Sequence, residues 1–246
     1  MKILAARALN KHFDGVVAAD QVSVEIAAGE RVGLIGSNGA GKTTFVNMIT
    51  GYLKPDAGAI ELEGRDITAL GPRAIMRLGV ARSFQIPQLC AEMSVLDNML
   101  VAAACGDGRL SFFQPAHTRE KISASTGLLD SFGLAEHAQR RVAELPGGVR
   151  KLLDIAMALT RQPRLLLLDE PTSGVSALER FALMETLMGA LRQAKVSALF
   201  VEHDMDVVER YADRVVVWEA GRVMAEGKPE TVFKDARVIE NVIGVA

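Results

Sequence analysis

The order of apolar and polar positions divides the chain into short strands, a long helical stretch, and strands again. Residues 22–26 alternate as Val-Ser-Val-Glu-Ile, which predicts a half-buried strand, and Ala28-Gly29-Glu30 turns the chain. The first thirty residues as a whole read as short strands. Residues 31–35 form a short apolar strand that runs directly into a glycine-rich loop. The spacing over 42–49 suits a helix, stopped by Gly51 with Pro55 beyond. Residues 59–62 and the Glu63-Gly64-Arg65-Asp66 turn predict a hairpin. From about 88 to 153 helical spacing dominates: Ser94 is placed to cap one helix, 106–115 read as a loop, and 118–132 return to helical spacing. Residues 165–168 are apolar at every position, as expected of a parallel strand covered on both faces. A helix over 177–191 precedes strands at 198–201 and 214–218. Strands alternating with helices imply a right-handed α/β core.

Composition narrows the setting. The net charge is −2 and no run of Lys and Arg stands out, which argues against nucleic acid as the main partner. The longest unbroken apolar run, 99–105, falls well short of the roughly 18 residues that mark a membrane span. Arg7, Asn10, Lys11 and His12 follow the start closely, leaving no apolar stretch of signal-peptide type. Cys90 and Cys105 are too few for a disulfide framework and read as reduced cytosolic thiols. A cytoplasmic protein is the expectation.

Two segments carry phosphate chemistry. Gly36-Ser37-Asn38-Gly39-Ala40-Gly41-Lys42-Thr43 has the G-x-x-x-x-G-K-[ST] pattern between a strand and a helix. Glycines let the backbone curl so that successive N–H groups face phosphate oxygens, and the helix N-terminus adds positive dipole. Lys42 is then placed to neutralise β- and γ-phosphates, and the Thr43 hydroxyl to ligate Mg²⁺. Thr44 completes the set of nucleotide-binding candidates. The second segment, 165–170, is an apolar strand ending in Asp169 and Glu170. Its acids fall where α/β sheets bind ligands. Asp169 suits the Mg²⁺ shell, and Glu170 suits a general base that polarises an attacking water.

With these motifs the chain resembles the ATP-binding cassette (ABC) family over nearly all its length. The resemblance implies a P-loop core with an N-terminal antiparallel β part and an inserted α-helical subdomain. It implies one domain over 1–246, with the core at about 1–87 and 154–246 and the helical part at about 88–153. Arg82-Ser83-Phe84-Gln85 resembles the family's Q-loop, which makes Gln85 a Mg²⁺ and water contact that senses the membrane subunit. Glu202-His203-Asp204 is similar to the switch segment, placing His203 on the γ-phosphate. Phe13 resembles the aromatic that stacks on adenine. The family's signature, Leu-Ser-Gly-Gly-Gln, appears as Leu145-Pro146-Gly147-Gly148-Val149. Gly147 and Gly148 keep backbone N–H groups at a helix start, to pin the nucleotide of an opposite subunit, whereas the serine hydroxyl and glutamine amide are replaced. After Pro171 the usual Asp is also missing from Ser173-Gly174-Val175-Ser176-Ala177, which leaves communication between sites to the backbone or Ser176.

Stretches 84–89 and 93–102, the spacer 106–117 and the C-terminal 238–244 are similar to ATPases of branched-chain amino-acid importers. The resemblance implies ATP and Mg²⁺ as cofactors and permease subunits as partners. It also implies a second ATPase, identical or paralogous, in a head-to-tail dimer, an indirect link to a solute-binding protein, and a place at the cytoplasmic face of the inner membrane. Ile86, Leu89, Cys90 and Met93 are candidates for the permease groove. Three alternatives stand beside this reading: a cassette of another small-solute importer, an ATP-binding regulatory cassette with little turnover, and a soluble cassette of translation or repair. Intact Glu170 and His203 weigh against the regulatory cassette, and the soluble type is expected to show tandem cassettes or coiled-coil insertions.

Overall fold

The computed structural model describes residues 1–83, 86–106 and 118–244. The chain opens with two strands, β1 (Lys2–Phe13) and β2 (Val16–Ala27), then β3 (Arg31–Gly36) and helix α1 (Lys42–Ile49). Next come β4 (Ala57–Leu62), β5 (Arg65–Asp66), α2 (Pro72–Arg77) and β6 (Val80–Ser83). Helices α3 (Val95–Gly106), α4 (Arg119–Ser131) and α5 (Gly147–Leu159) lead into β7 (Leu165–Asp169). The rest is α6 (Arg180–Ala194), β8 (Ser197–Val201), α7 (Met205–Tyr211), β9 (Arg214–Glu219) and β10 (Arg222–Gly227), with short turns beyond.

Two sheets result. The first is antiparallel, in the order β2-β1-β4-β5. The second runs β10-β9-β3-β8-β7-β6, parallel except for β10. Its central strands carry apolar side chains on both faces, and period-2 geometry sends them to different cores. Leu165, Leu167, Leu199 and Val216 join Phe45, Ile49 and the first sheet in one cluster. Leu166, Leu168, Phe200 and Val217 join residues of α3 to α7 in the other. Helix α1 therefore lies between the sheets, and the remaining long helices cover the far face.

The opening differs from the short strands expected. β1 and β2 each run 12 residues, and bulges let the hairpin continue where the alternation breaks: register shifts follow Ala6 and Leu9, and Ala8 and Gln21 have φ of 47° and 51°. The helix expected over 177–191 begins later, at Arg180, and ends where Lys195 turns left-handed. β6 and α2 are additions that periodicity did not announce, being only 4 and 6 residues long. Helix α4 starts as anticipated, with Thr118 Oγ1 accepting from Lys121 N. Part of the expected 106–115 loop, from 107 onward, lies outside the described residues.

Candidate functional site

β3 stops at Gly36 because the chain must turn sharply there into α1. Gly36 has φ 155° and Gly41 φ 112°. A Cβ on Gly36 would come 2.1 Å from the Trp218 carbonyl oxygen, and one on Gly41 would come 2.2 Å from Ala18 O and 2.9 Å from Trp218 Nε1. Both positions thus require glycine for backbone angle and for space. Trp218, the last fully buried residue of β9, packs its ring 4.8 Å from that of Phe45 on α1. The loop is laced to β9 and the turn after it: Ser37 Oγ donates to Glu219 Oε2 (2.9 Å), and Gly221 N donates to Ala40 O (2.9 Å).

Lys42, only 6% exposed, donates from Nζ to Gly36 O (2.6 Å) and Ser37 O (2.9 Å). Its ammonium thereby lies over the mouth of the loop. Burial pushes Lys42 below the usual lysine range, and Glu170, Glu219 and Asp169 oppose that shift. Asp169, the last residue of β7, and Glu170, the next, are thus among the charges that favour the Lys42 ammonium. Ser37 and Thr44 are half-buried, Ala40 is buried, and Asn38, Gly39 and Thr43 are exposed along the rim.

The parallel register Asp169↔Val201 sets the ends of β7 and β8 side by side, so that the residues following each strand meet. Glu170 N donates to Val201 O (3.0 Å), and Glu170 takes a left-handed φ of 48°. His203 Nε2 lies 3.2 Å from Glu170 Oε1. Asp204 caps α7, accepting from Asp206 N (3.1 Å) and Val207 N (3.2 Å), which fixes the backbone just past His203. Asp169 Oδ2 accepts from Arg82 Nη2 (2.7 Å), while Arg82 Nη1 donates to Asn47 Oδ1 (2.7 Å) on α1.

Three sequence candidates thus converge with the loop: Asp169, Glu170 and His203. Phe13, 43% exposed at the end of β1, sits on the hairpin whose Ala18 carbonyl abuts Gly41, with Lys11 Nζ 5.4 Å from its ring centroid. Gly147 and Gly148 open α5 behind Pro146, and among the described residues no hydrogen bond joins them to the loop of their own chain. Val149 is half-buried against the helical core rather than presented as a polar group. Ser176 Oγ donates to Glu179 Oε2 (2.8 Å) at the start of α6, a local role. Gln85 and Phe84 lie outside the described residues.

Residues that motif reading left without a role also converge here. Arg82 is one, a cation within a four-residue strand. Asp154, 8% exposed on α5, accepts from Ser83 Oγ (2.8 Å) and Gln88 N (3.0 Å), either side of the 84–87 segment. Lys151 on the same helix is 2% exposed, and burial lowers its proton affinity against the pull of Asp154, Asp169, Glu202 and Glu170. Glu202 is 3% exposed. The available signal was a charge inside an apolar run, which alone does not say what it faces.

Mg²⁺ fits the donor set. Thr43 and Asp169 offer hard oxygens, and among the described residues no group of three His, Cys, Asp or Glu makes a protein-only cage. A Mg²⁺ ion held by Thr43 and Asp169 would need its remaining ligands from nucleotide and water. Also among the described residues, no helix is long and apolar enough to cross a membrane.

Comparison with known proteins bears on the family and the fold. Residues 19–173 match the family described as ABC transporter. The probable branched-chain amino acid transport ATP-binding protein LivG of Archaeoglobus fulgidus is 36% identical over 99% of this chain and 96% of its own. The high-affinity branched-chain amino acid transport ATP-binding protein LivG of Salmonella typhimurium is 37% identical over 99% and 98%. Among solved structures, an ATP-binding cassette of an ABC transporter in its ADP conformation superposes with a TM-score of 0.88 at 32% identity, covering 99% of both chains.

Proposed function

Because this chain belongs to the ABC transporter family, we propose that it is the ATP-hydrolysing subunit of an importer for branched-chain amino acids or closely related small solutes. The family supplies ATP binding. The observation that carries turnover is the 3.2 Å contact of His203 Nε2 with Glu170 Oε1 beside a buried phosphate-loop lysine. A chain kept only for binding nucleotide has no need of that pairing.

In this reading the loop N–H groups and Lys42 hold the β- and γ-phosphates, with Lys42 exchanging two carbonyl acceptors for phosphate oxygens. Glu170 accepts a proton from the attacking water, and His203 orients the γ-phosphate and the base. Mg²⁺, when bound, neutralises charge on the β- and γ-oxygens. Thr43 and Asp169 are the residues that would hold it. Gln85 joins this set by resemblance. Phe13 supplies a face for adenine.

Gly147 and Gly148, exposed or half-exposed at the start of α5, serve the nucleotide of a second ATPase subunit in a head-to-tail pair. Pro146 offers neither a hydroxyl nor an N–H there, so backbone groups alone make the contact. The assembly sits at the cytoplasmic face of the membrane, bound to permease subunits that receive solute from a binding protein. The helical part, about 88–153, is the lobe that meets the permease.

The test is steady-state hydrolysis by the chain, alone and with its paralogue, beside Glu170→Gln. We expect turnover that the variant abolishes while ATP-trapped dimers accumulate. The replaced signature residues Pro146 and Val149 favour a second reading, an ATP-binding regulator. Tight ATP binding without turnover in any pairing would establish that one instead.

A further inference from the structure

We infer that Glu202 is a positioning residue of the hydrolytic centre, fastening the turn that carries Glu170 to the strand end that carries His203. The inference rests on the assignment of Glu170 and His203 as base and switch.

Glu202 is the first residue after β8 and is almost completely buried. Its Oε1 accepts two hydrogen bonds from one residue, Thr172 N (2.9 Å) and Thr172 Oγ1 (2.8 Å). Its Oε2 accepts from His203 N (3.3 Å). A single carboxylate therefore spans the two segments that present the reacting groups. On one side Thr172 follows Glu170 by two residues; on the other His203 is the next residue.

The turn needs such a hold. Glu170 sits at φ 48°, a conformation unfavourable for a side chain of its kind, and persists only where its surroundings over-determine it. Its N–H is bound to Val201 O and its carbonyl accepts from Ser173 N (3.1 Å), which closes a tight turn over 171–172 but does not tie that turn to the strand end carrying His203. Pro171 contributes no N–H. The two bonds to Glu202 close that gap. They also fix the spacing between Glu170 Oε1 and His203 Nε2, because both residues are referred to the same carboxylate.

A carboxylate placed there is costly. Burial pushes Glu202 above the usual glutamate range, and the three donors only partly oppose it. A residue serving only to fill space at this position would be apolar.

The test uses the full-length chain with Glu202→Ala, Glu202→Gln, Thr172→Val and Thr172→Ser. Displacing a reacting group by about 1 Å costs roughly 10²-fold. We expect Glu202→Ala to lower kcat by about that factor with KM for ATP little changed. Thr172→Val should lower kcat by about tenfold, and Thr172→Ser should restore it, since the hydroxyl and not the methyl makes the bond. Glu202→Gln keeps an oxygen for Thr172 but turns an amide N–H toward His203 N, so it should lose the His203 side of the clamp and fall between wild type and Glu202→Ala. The double variant Glu202→Ala/Thr172→Val should be no worse than Glu202→Ala alone.

The ring resonances of His203 give a readout independent of turnover. They should move in Glu202→Ala and Thr172→Val toward those of Glu170→Ala, and remain in place in Thr172→Ser. Unmoved His203 signals in Thr172→Val, or equal losses in Thr172→Val and Thr172→Ser, would overturn the inference. Wild-type turnover in Glu170→Gln would instead remove the assignment of the base on which it stands. Loss in Glu170→Gln with normal Thr172→Val would remove the clamp alone.

Discussion

Lys42 shows how a single residue can be set against the stability of its own fold. It was legible from the motif, because a lysine after a glycine-rich turn has few other uses. What the motif does not say is that its ammonium is buried and answered by two loop carbonyls and three nearby acids. Its proton affinity is lowered on folding, so the unfolded chain binds the extra proton more tightly. Stability from this group therefore rises as pH climbs toward the ordinary lysine range, and below that window the charge weighs against folding. Lys42→Met removes the charge at near-constant volume. The expected outcome is loss of ATP binding with a melting temperature equal to wild type or higher, by about 2–4 °C per kcal/mol recovered. Calorimetric titration with ATP and a thermal melt at neutral pH check both halves. A large fall in melting temperature would show that the carbonyl bonds outweigh the burial.

Among the elements, β6 was the least legible and is one of the most consequential. Four residues with a cation in the middle carry no clear period, yet Val80–Ser83 pairs in parallel with β7 and delivers Arg82 to Asp169 and Asn47. By contrast β7 announced itself, since an all-apolar run ending in two acids has few placements in an α/β sheet. β1 and β2 were read short because bulges interrupt their alternation. Helix α6 was read early because 176–179 form a capping turn, not its first turn. The Arg82–Asp169 pair, 10% and 15% exposed, ties the end of β7 to Arg82, which also binds Asn47 on the phosphate-loop helix. Removing one partner of a pair this sheltered costs about 3–5 kcal/mol. Arg82→Met is accordingly expected to lower stability by that order and to loosen Mg²⁺-dependent nucleotide binding. Asp169→Asn added to it should recover part of the stability but not the binding. Denaturant melts of the two variants and of the double variant decide this, and independent effects would break the proposed link.

For the whole molecule, the cluster of cores explains how one chain can be both motor and connector. The apolar set that contains Val95, Met99 and Leu129 of the helical part also contains Leu166 and Phe200 of the sheet, so the two parts share one interior. Between them opens a cleft of about 300 Å³ walled by Tyr52, Ile75, Met76, Ala102, Cys105 and Met157, with Arg82 at its side. The cleft adjoins the lobe proposed above to meet the permease, and a substitution in its wall tests that proposal. Of the residues expected to form the permease groove, Ile86 and Cys90 are exposed, Met93 is half-buried and Leu89 packs against the core, and none of the four lines this cleft. Sequence spacing could not have shown it, because its walls come from five separate segments. Met76→Glu, at a partly exposed wall position, should leave ATP hydrolysis by the isolated chain near wild type and lower permease-stimulated hydrolysis at least tenfold. Normal stimulation would place the contact elsewhere.

The position of Trp218 has one more consequence. It is the chain's single tryptophan, fully buried, and its indole lies directly beneath Gly41 at the floor of the phosphate loop. The protein thus carries its own optical gauge: any closing of the loop on a nucleotide changes the surroundings of the one strong fluorophore, and the emission of the unlabelled chain becomes a real-time record of its power cycle.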